Sequence, residues 1–278
     1  MIRAAIFLLL IALTQASLLL AYPLTPRSFL LAGSLYIAGT LLALYLVLYP
    51  RSRWLVDCRS QVVCHGRPCV ALTFDDGPNP ATTPRVLDVL HQKQVRATFF
   101  VVGKRAEQHP ELIRRALAEG HLVENHTWSH SPLFCFLTPG RLRAEIEKCA
   151  ETLQRISGRR PRYFRSPVGL RHALLRPYLR RAGLEYISWK IKSYDTLNVK
   201  SGTLAGRILN KVKSGDIVLL HDYRAGGVDV MVGVLPRIID ELRARGFDFV
   251  GVDSECRATE EVRGGMGSLA RGITGDEG

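Results

Sequence analysis

From Cys69 onward the chain alternates short runs of β-branched, aromatic and aliphatic residues with longer amphipathic stretches, and few folds accept that pattern. The runs predict strands at Val70–Phe74, Ala97–Val102, Leu122–Glu124, Tyr163–Arg165, Tyr186–Trp189, Ile217–His221 and Phe247–Val250. The stretches between them predict helices at Pro84–Lys93, Pro110–Glu119, Pro139–Ser157, Leu174–Ala182, Leu204–Val212 and Val232–Arg245. Several of these meet a glycine at their C-terminal end (Gly120, Gly158, Gly183, Gly246), as helices commonly do. Strand and helix alternating this often imply an α/β fold with a parallel sheet. About seven units suit a closed or nearly closed barrel, whose chemistry gathers at the C-terminal ends of the strands.

Two apolar runs precede this domain. Ala4 to Ala21 is broken only by Thr14, Gln15 and Ser17, and Phe29 to Leu48 follows a connection holding Pro23, Pro26 and Arg27. Each run has about 18–20 residues, enough for a helix to cross a hydrocarbon core of roughly 30 Å. Neither run has a polar face, so residues 1–50 are expected to form a membrane anchor of two transmembrane helices. A signal peptide followed by one anchor is the alternative. Arg3 before the first run, with Arg51 and Arg53 after the second, favours a multi-pass protein of the inner membrane with its domain on the cytoplasmic face. Residues 51–68 read as a juxtamembrane linker, 69–256 as the folded domain, and the Gly-rich 257–278 as a disordered tail.

The net charge of +13 admits nucleic acid, acidic lipid or an anionic substrate as partners. Its arginines are scattered over predicted helices (Arg114, Arg115, Arg141, Arg143), with no basic run interleaved with aromatics, so no nucleic-acid partner is expected. A solvated or membrane-facing surface accounts for them better. None of the six cysteines forms a C-x-x-C pair, and their scatter suggests free thiols, in weak agreement with a cytoplasmic domain.

Four motifs carry the chemistry. Thr73-Phe74-Asp75-Asp76-Gly77-Pro78 ends the first predicted strand with two adjacent carboxylates, whose mutual repulsion a metal cation would relieve. Asp76 can then ligate while Asp75 stays ionised as a base. His126 and His130 are four residues apart, and on a helical turn both imidazoles would share a face and one metal. Arg165 closes a strand before Ser166-Pro167, where its guanidinium can grip a carboxylate. His221 ends the apolar run Ile217–Leu220, and an imidazole there, oriented by a carboxylate such as Asp195, could donate a proton to a leaving amine. Leu219 is expected in the floor of the site. His65, His91, His109, His121 and His172 lack such company and read as structural or exposed.

The ordered set T-F-D-D-G-P, H-T-x-x-H, R-x-P-x-G and L-L-H-D resembles the polysaccharide deacetylase family, carbohydrate esterase family four, over about Cys69 to Val252. The resemblance implies a distorted (β/α)7 barrel, a Zn2+-type divalent metal and removal of N-acetyl groups from amino sugars. It implies Asp75 as base, Asp76, His126 and His130 as metal ligands, and His221 as acid. Arg165 would position Asp75, Asp195 would tune His221, and a backbone N–H near Val168 would help hold the oxyanion. Three positions depart from the family pattern. Lys192 stands where the fourth motif usually has its first Asp, Thr196 stands for its Trp, and Val168 stands for an aromatic. These leave the metal centre intact and change the lining of the groove.

The expected protein is therefore a membrane-anchored, metal-dependent amidohydrolase acting on a glycan or a lipid-linked amino sugar, of open oligomeric state. The rival is a non-catalytic glycan-binding or regulatory membrane protein on the same barrel, against which the intact acid, base and ligands argue.

Overall fold

The computed structural model describes residues 7, 9–16, 25–49, 52–197, 200–223 and 229–254. Its first complete helix is α1 (Pro26–Leu48), started by Pro26 behind the cap Thr25. Its mean hydropathy of 2.0 and burial of only 11% make it long and apolar enough to cross a membrane. A second transmembrane helix is not established, because most of its flanks lie outside the described residues. Residues 9–16 are helical and pack on α1, with Phe7 and Ile11 joining Ala43, Leu46 and Val47.

The domain follows with β1 (Cys58–Arg59), β2 (Cys69–Asp75), α2 (Thr83–Gln92), β3 (Thr98–Val101), α3 (Gly103–Gln108), α4 (Pro110–Ala118), β4 (Leu122–Asn125) and α5 (Pro139–Ser157). It continues with β5 (Tyr163–Phe164), α6 (Leu175–Ala182), β6 (Glu185–Ile187), β7 (Ile191–Lys192), α7 (Ser201–Leu209), β8 (Ile217–His221), α8 (Asp229–Ala244) and β9 (Asp248–Phe249). The strands pair in the order β1-β6-β5-β4-β3-β2-β8-β7, with β9 beside β2, as a parallel half-barrel. All seven runs predicted as strands take part.

Side-chain alternation divides the core. Val70, Leu72 and Phe74 of β2, with Val218 and Leu220 of β8, face the cluster beneath the helices. Ala71 of β2 and Ile217 and Leu219 of β8 face an inner cluster with Phe100, Ile187 and Trp189. Thr73, Asp75 and His221 continue the inward parity of Ala71 and Leu219, and Asp75 is in register with His221 on the neighbouring strand.

Three expectations change. The segment 51–68 supplies β1, whose Cys58 and Arg59 pair with Tyr186 and Ile187, so it belongs to the sheet. The two-residue β7 follows β6 after a break at Ser188–Lys190, too short to show a period. The cysteines are not all free. Cys64 and Cys69 form a disulfide across the turn at Gly66, while Cys58, Cys135 and Cys149 are free thiols. The bond removes the support that reduced cysteines lent to a cytoplasmic domain.

Candidate active site

Asp75 ends β2 with its side chain inward, and strand alternation alone would turn Asp76 the other way. The backbone of Asp76 is left-handed (φ 77°), which breaks the alternation and brings both carboxylates into one cavity of about 160 Å3. The turn is held from behind by Asp222, which accepts hydrogen bonds from Gly77 N at 3.0 Å and Thr83 Oγ1 at 2.6 Å. A side chain at Gly77 would meet that carboxylate at 2.1 Å, so the position requires glycine. Burial, with the Asp76 charge second, pushes the Asp222 carboxyl up to about 7. Asp222 stands in the L-L-H-D motif, yet the sequence alone suggested no role for it. Its adjacency to His221 was the only signal.

His126 and His130 converge without the helical turn expected of their spacing. Residues 126–130 form a loop in which Thr127 and His130 have φ of 69° and 55°. Asn125 Oδ1 accepts Thr127 N at 2.9 Å, Thr127 Oγ1 accepts His130 N at 3.1 Å, and Gly103 N and Lys104 N donate to the carbonyls of Thr127 and Trp128. Two left-handed residues turn the second imidazole back onto the first, leaving their ring centroids 5.1 Å apart.

Arg165 is fully buried and links the parts. Its Nη1 donates to Asp75 Oδ1 at 2.6 Å and Thr73 Oγ1 at 2.8 Å, and its Nε and Nη2 donate to Ile187 O and Ser188 O at 3.2 Å. Its own carbonyl lies 2.8 Å from His126 Nδ1. One residue thus holds a carboxylate by its side chain and an imidazole by its backbone.

His221 Nδ1 lies 2.7 Å from Asp195 Oδ1, and its backbone N donates to Asp195 Oδ2 at 2.8 Å. Ser193 Oγ fixes the same carboxylate at 2.9 Å. Burial alone would lower the proton affinity of His221, but the Asp195 hydrogen bond and charge, then Asp75 and Asp76, outweigh it and raise the imidazolium to about 9. The cavity is completed by Val168, Trp189, Leu219, Lys192 and Thr196. Of the five histidines set aside, His121 and His172 are buried and bonded to backbone, and none lines this cavity.

The donor set suits a divalent transition metal. Asp76 Oδ1 lies 3.0 Å from His130 Nε2 and 3.3 Å from His126 Nε2, and one ligand atom from each residue falls within 4.8 Å of the others. The Nδ1 contact of His126 with Arg165 O leaves its Nε2 lone pair directed at the group. Burial raises the proton affinity of Asp76, but the two histidines more than reverse this and hold it well below the usual carboxylate range.

A family profile described as polysaccharide deacetylase matches residues 63–187. A peptidoglycan-N-acetylglucosamine deacetylase of Bacillus cereus is 34% identical over 69% of this chain and 70% of its own length. A chitooligosaccharide deacetylase of a Bradyrhizobium species is 37% identical over 66% of this chain and 88% of its own. The crystal structure of a peptidoglycan N-acetylglucosamine deacetylase bound to 4-naphthalen-1-yl-N-oxidanyl-benzamide superposes with a TM-score of 0.65 at 33% identity, covering 71% of this chain and 91% of that one. Profile, relatives and superposed fold agree with the motif set: the chain belongs to the polysaccharide deacetylase family, carbohydrate esterase family four.

Proposed function

We propose that this protein is a metal-dependent N-deacetylase, releasing acetate from an N-acetylated amino sugar in a glycan or a lipid-linked saccharide. The observation that carries the reading is one cavity lined by Asp75, His221 and the triad Asp76, His126 and His130. The peptidoglycan and chitooligosaccharide substrates named for the relatives support an N-acetylamino sugar.

Asp76, His126 and His130 would hold a Zn2+-type ion, which when bound supplies Lewis-acid polarisation and acidifies water. Asp75, fixed by Arg165, takes the proton from the attacking water. Arg165 keeps that carboxylate aimed at the cavity rather than at solvent. His221, held by Asp195, delivers a proton to the departing nitrogen. The N–H of Val168 itself stabilises the developing oxyanion, since Pro167 has none and Gly169 N donates to Ser166 O at 3.0 Å. Leu219 and Trp189 form the apolar wall for the acetyl methyl.

The protein acts at a membrane, attached through α1. Arg171 N donates to Val47 O at 3.0 Å, so the last turn of the helix is fastened to the loop that follows Val168. A groove of about 460 Å3 separates α1 from the turn containing Phe136 and the loop 171–174, and its helix wall runs from Gly39 to Val47. At 1.5 Å per residue that wall is about 12 Å long. Leu133 and Phe136 on this turn are 63% and 81% exposed, which suits insertion beside α1. The Cys64–Cys69 disulfide supports an oxidising compartment for the domain, against the side favoured by Arg51 and Arg53.

The test uses the full chain in detergent. Chelation is expected to abolish acetate release and Zn2+ to restore it, with about one equivalent bound. Asp75→Asn is expected to lower kcat by about 100- to 10,000-fold while leaving metal stoichiometry unchanged. Full activity of that variant sinks the assignment of the base, and failure to bind zinc sinks the enzyme reading.

A further inference from the structure

Each carboxylate of the catalytic site already has a partner of its own. Asp75 pairs with Arg165, Asp195 pairs with His221, and Asp76 belongs to the histidine triad. Lys192 lines the catalytic cavity, half-buried, and among the described residues no carboxylate pairs with it. It also lines a second cavity of about 310 Å3, and Lys192 and Trp189 form the partition between the two. Lys190 and Lys211 line that second cavity too, together with Tyr49 and Tyr194 and, among the described residues, no acidic one. Among the described residues, none of the three ammonium groups has an ion pair or a hydrogen-bond acceptor. Lys192 rests over aromatic faces, 5.2 Å from the Tyr194 ring and 5.9 Å from that of Trp189.

Three like charges around one half-enclosed space repel, and the repulsion is relieved when an anion enters. A lysine ammonium binds phosphate as a point charge. Tyr194, 45% exposed, offers a flat apolar face on which a sugar ring can lie. Tyr49 directly follows α1, so this space opens beside the end of the anchor.

We propose that Lys190, Lys192 and Lys211 form an anion subsite adjoining the catalytic cavity. It selects amino sugars that carry a phosphate-type or carboxylate group next to the N-acetylated ring. The proposal rests on the deacetylase reading for its purpose, but the subsite can be measured apart from turnover.

Two readouts on the zinc-loaded full chain in detergent decide it. The first is the ratio of kcat/KM for an anionic over a neutral substrate. N-acetylglucosamine 1-phosphate, its polyprenyl diphosphate-linked counterpart and N-acetylmuramic acid are each compared with a neutral chitooligosaccharide. At least one anionic arm is expected to exceed the neutral one by roughly tenfold or more, with the advantage eroding as salt rises. The winning arm names the source of the anion. Lys192→Gln combined with Lys190→Gln should pull the ratio toward one, and Lys192→Arg should retain it. The second readout is calorimetric binding of N-acetylglucosamine 1-phosphate and of N-acetylmuramic acid, each against N-acetylglucosamine. Wild type is expected to bind at least one anionic sugar about tenfold tighter, and the double variant to lose that gap. If no substrate is turned over, the deacetylase reading fails and this binding gap still judges the subsite. Equal binding of the charged and neutral sugars by wild type, or a gap unchanged in the double variant, overturns the proposal.

Discussion

Asp195 shapes His221 twice, accepting from its backbone N–H and lying 2.7 Å from its ring. With burial opposing, Asp195 is the strongest influence raising the imidazolium to about 9, so the proton donor persists below that pH and is lost above it. The alkaline limb of kcat should therefore lie above the ordinary imidazole range, and Asp195→Asn should move it to lower pH by about one unit or more. A limb that stays in place in the variant would assign it to another group. Arg165 presents the opposite case, a buried charge whose partners are all built in. Arg165→Ala leaves Asp75 buried without its cation and should cost about 3–5 kcal/mol, read by chemical denaturation of the detergent-solubilised chain. Much at this scale was legible in the sequence. All seven residues assigned from the motifs are brought around the one cavity or bonded to its lining. The helical turn for His126 and His130 was not, because spacing counts residues and is blind to two left-handed backbones. Asp222 was invisible for a similar reason. Its partners Gly77 and Thr83 are about 140 positions away, and only the β2–β8 pairing brings them together.

At the scale of elements, the strands that sequence could find are those lying in apolar or aromatic runs, the two-residue β5 and β9 included. Ile217–His221 was located to the residue and helix Pro139–Ser157 likewise, its end marked by the left-handed Gly158. The pairs β1 and β7 have two residues each and no period to read, and the six-residue α3 lay between stronger signals. Strand β4 carries a further consequence. Glu124 is buried, and its Oε2 accepts Arg162 N at 2.8 Å and Tyr163 N at 2.9 Å, fastening β5 beside it. Burial raises this carboxyl to about 7 despite those bonds. A folded value above the unfolded one means stability is fully present below the unfolded value and is lost as pH rises through about 7. Wild type should lose on the order of 2 kcal/mol from this group between pH 5 and pH 8. Glu124→Gln should flatten that loss, and an equal decline in both proteins would point to a different titrating group.

The whole molecule joins an apolar helix to a domain whose lysine-lined second cavity lies beside the end of that helix. If the Phe136 turn inserts next to α1, Phe136→Trp will add fluorescence that spin-labelled lipids quench in reconstituted vesicles. Quenching no deeper than that of an aqueous tryptophan would remove the turn from the bilayer. The same arrangement gives the basic surface a purpose beyond solubility, since Lys190, Lys192 and Lys211 gather near Tyr49 rather than spreading evenly. The bond from Arg171 to Val47 ties α1 to a residue three positions from Val168. If α1 spans a bilayer, as proposed, that bond couples its tilt to the rim of the reaction chamber. A bilayer of different thickness would then tilt the helix, and the rim would follow. Turnover measured across vesicles of graded acyl-chain length should pass through an optimum, where a freely tethered enzyme would give a flat line.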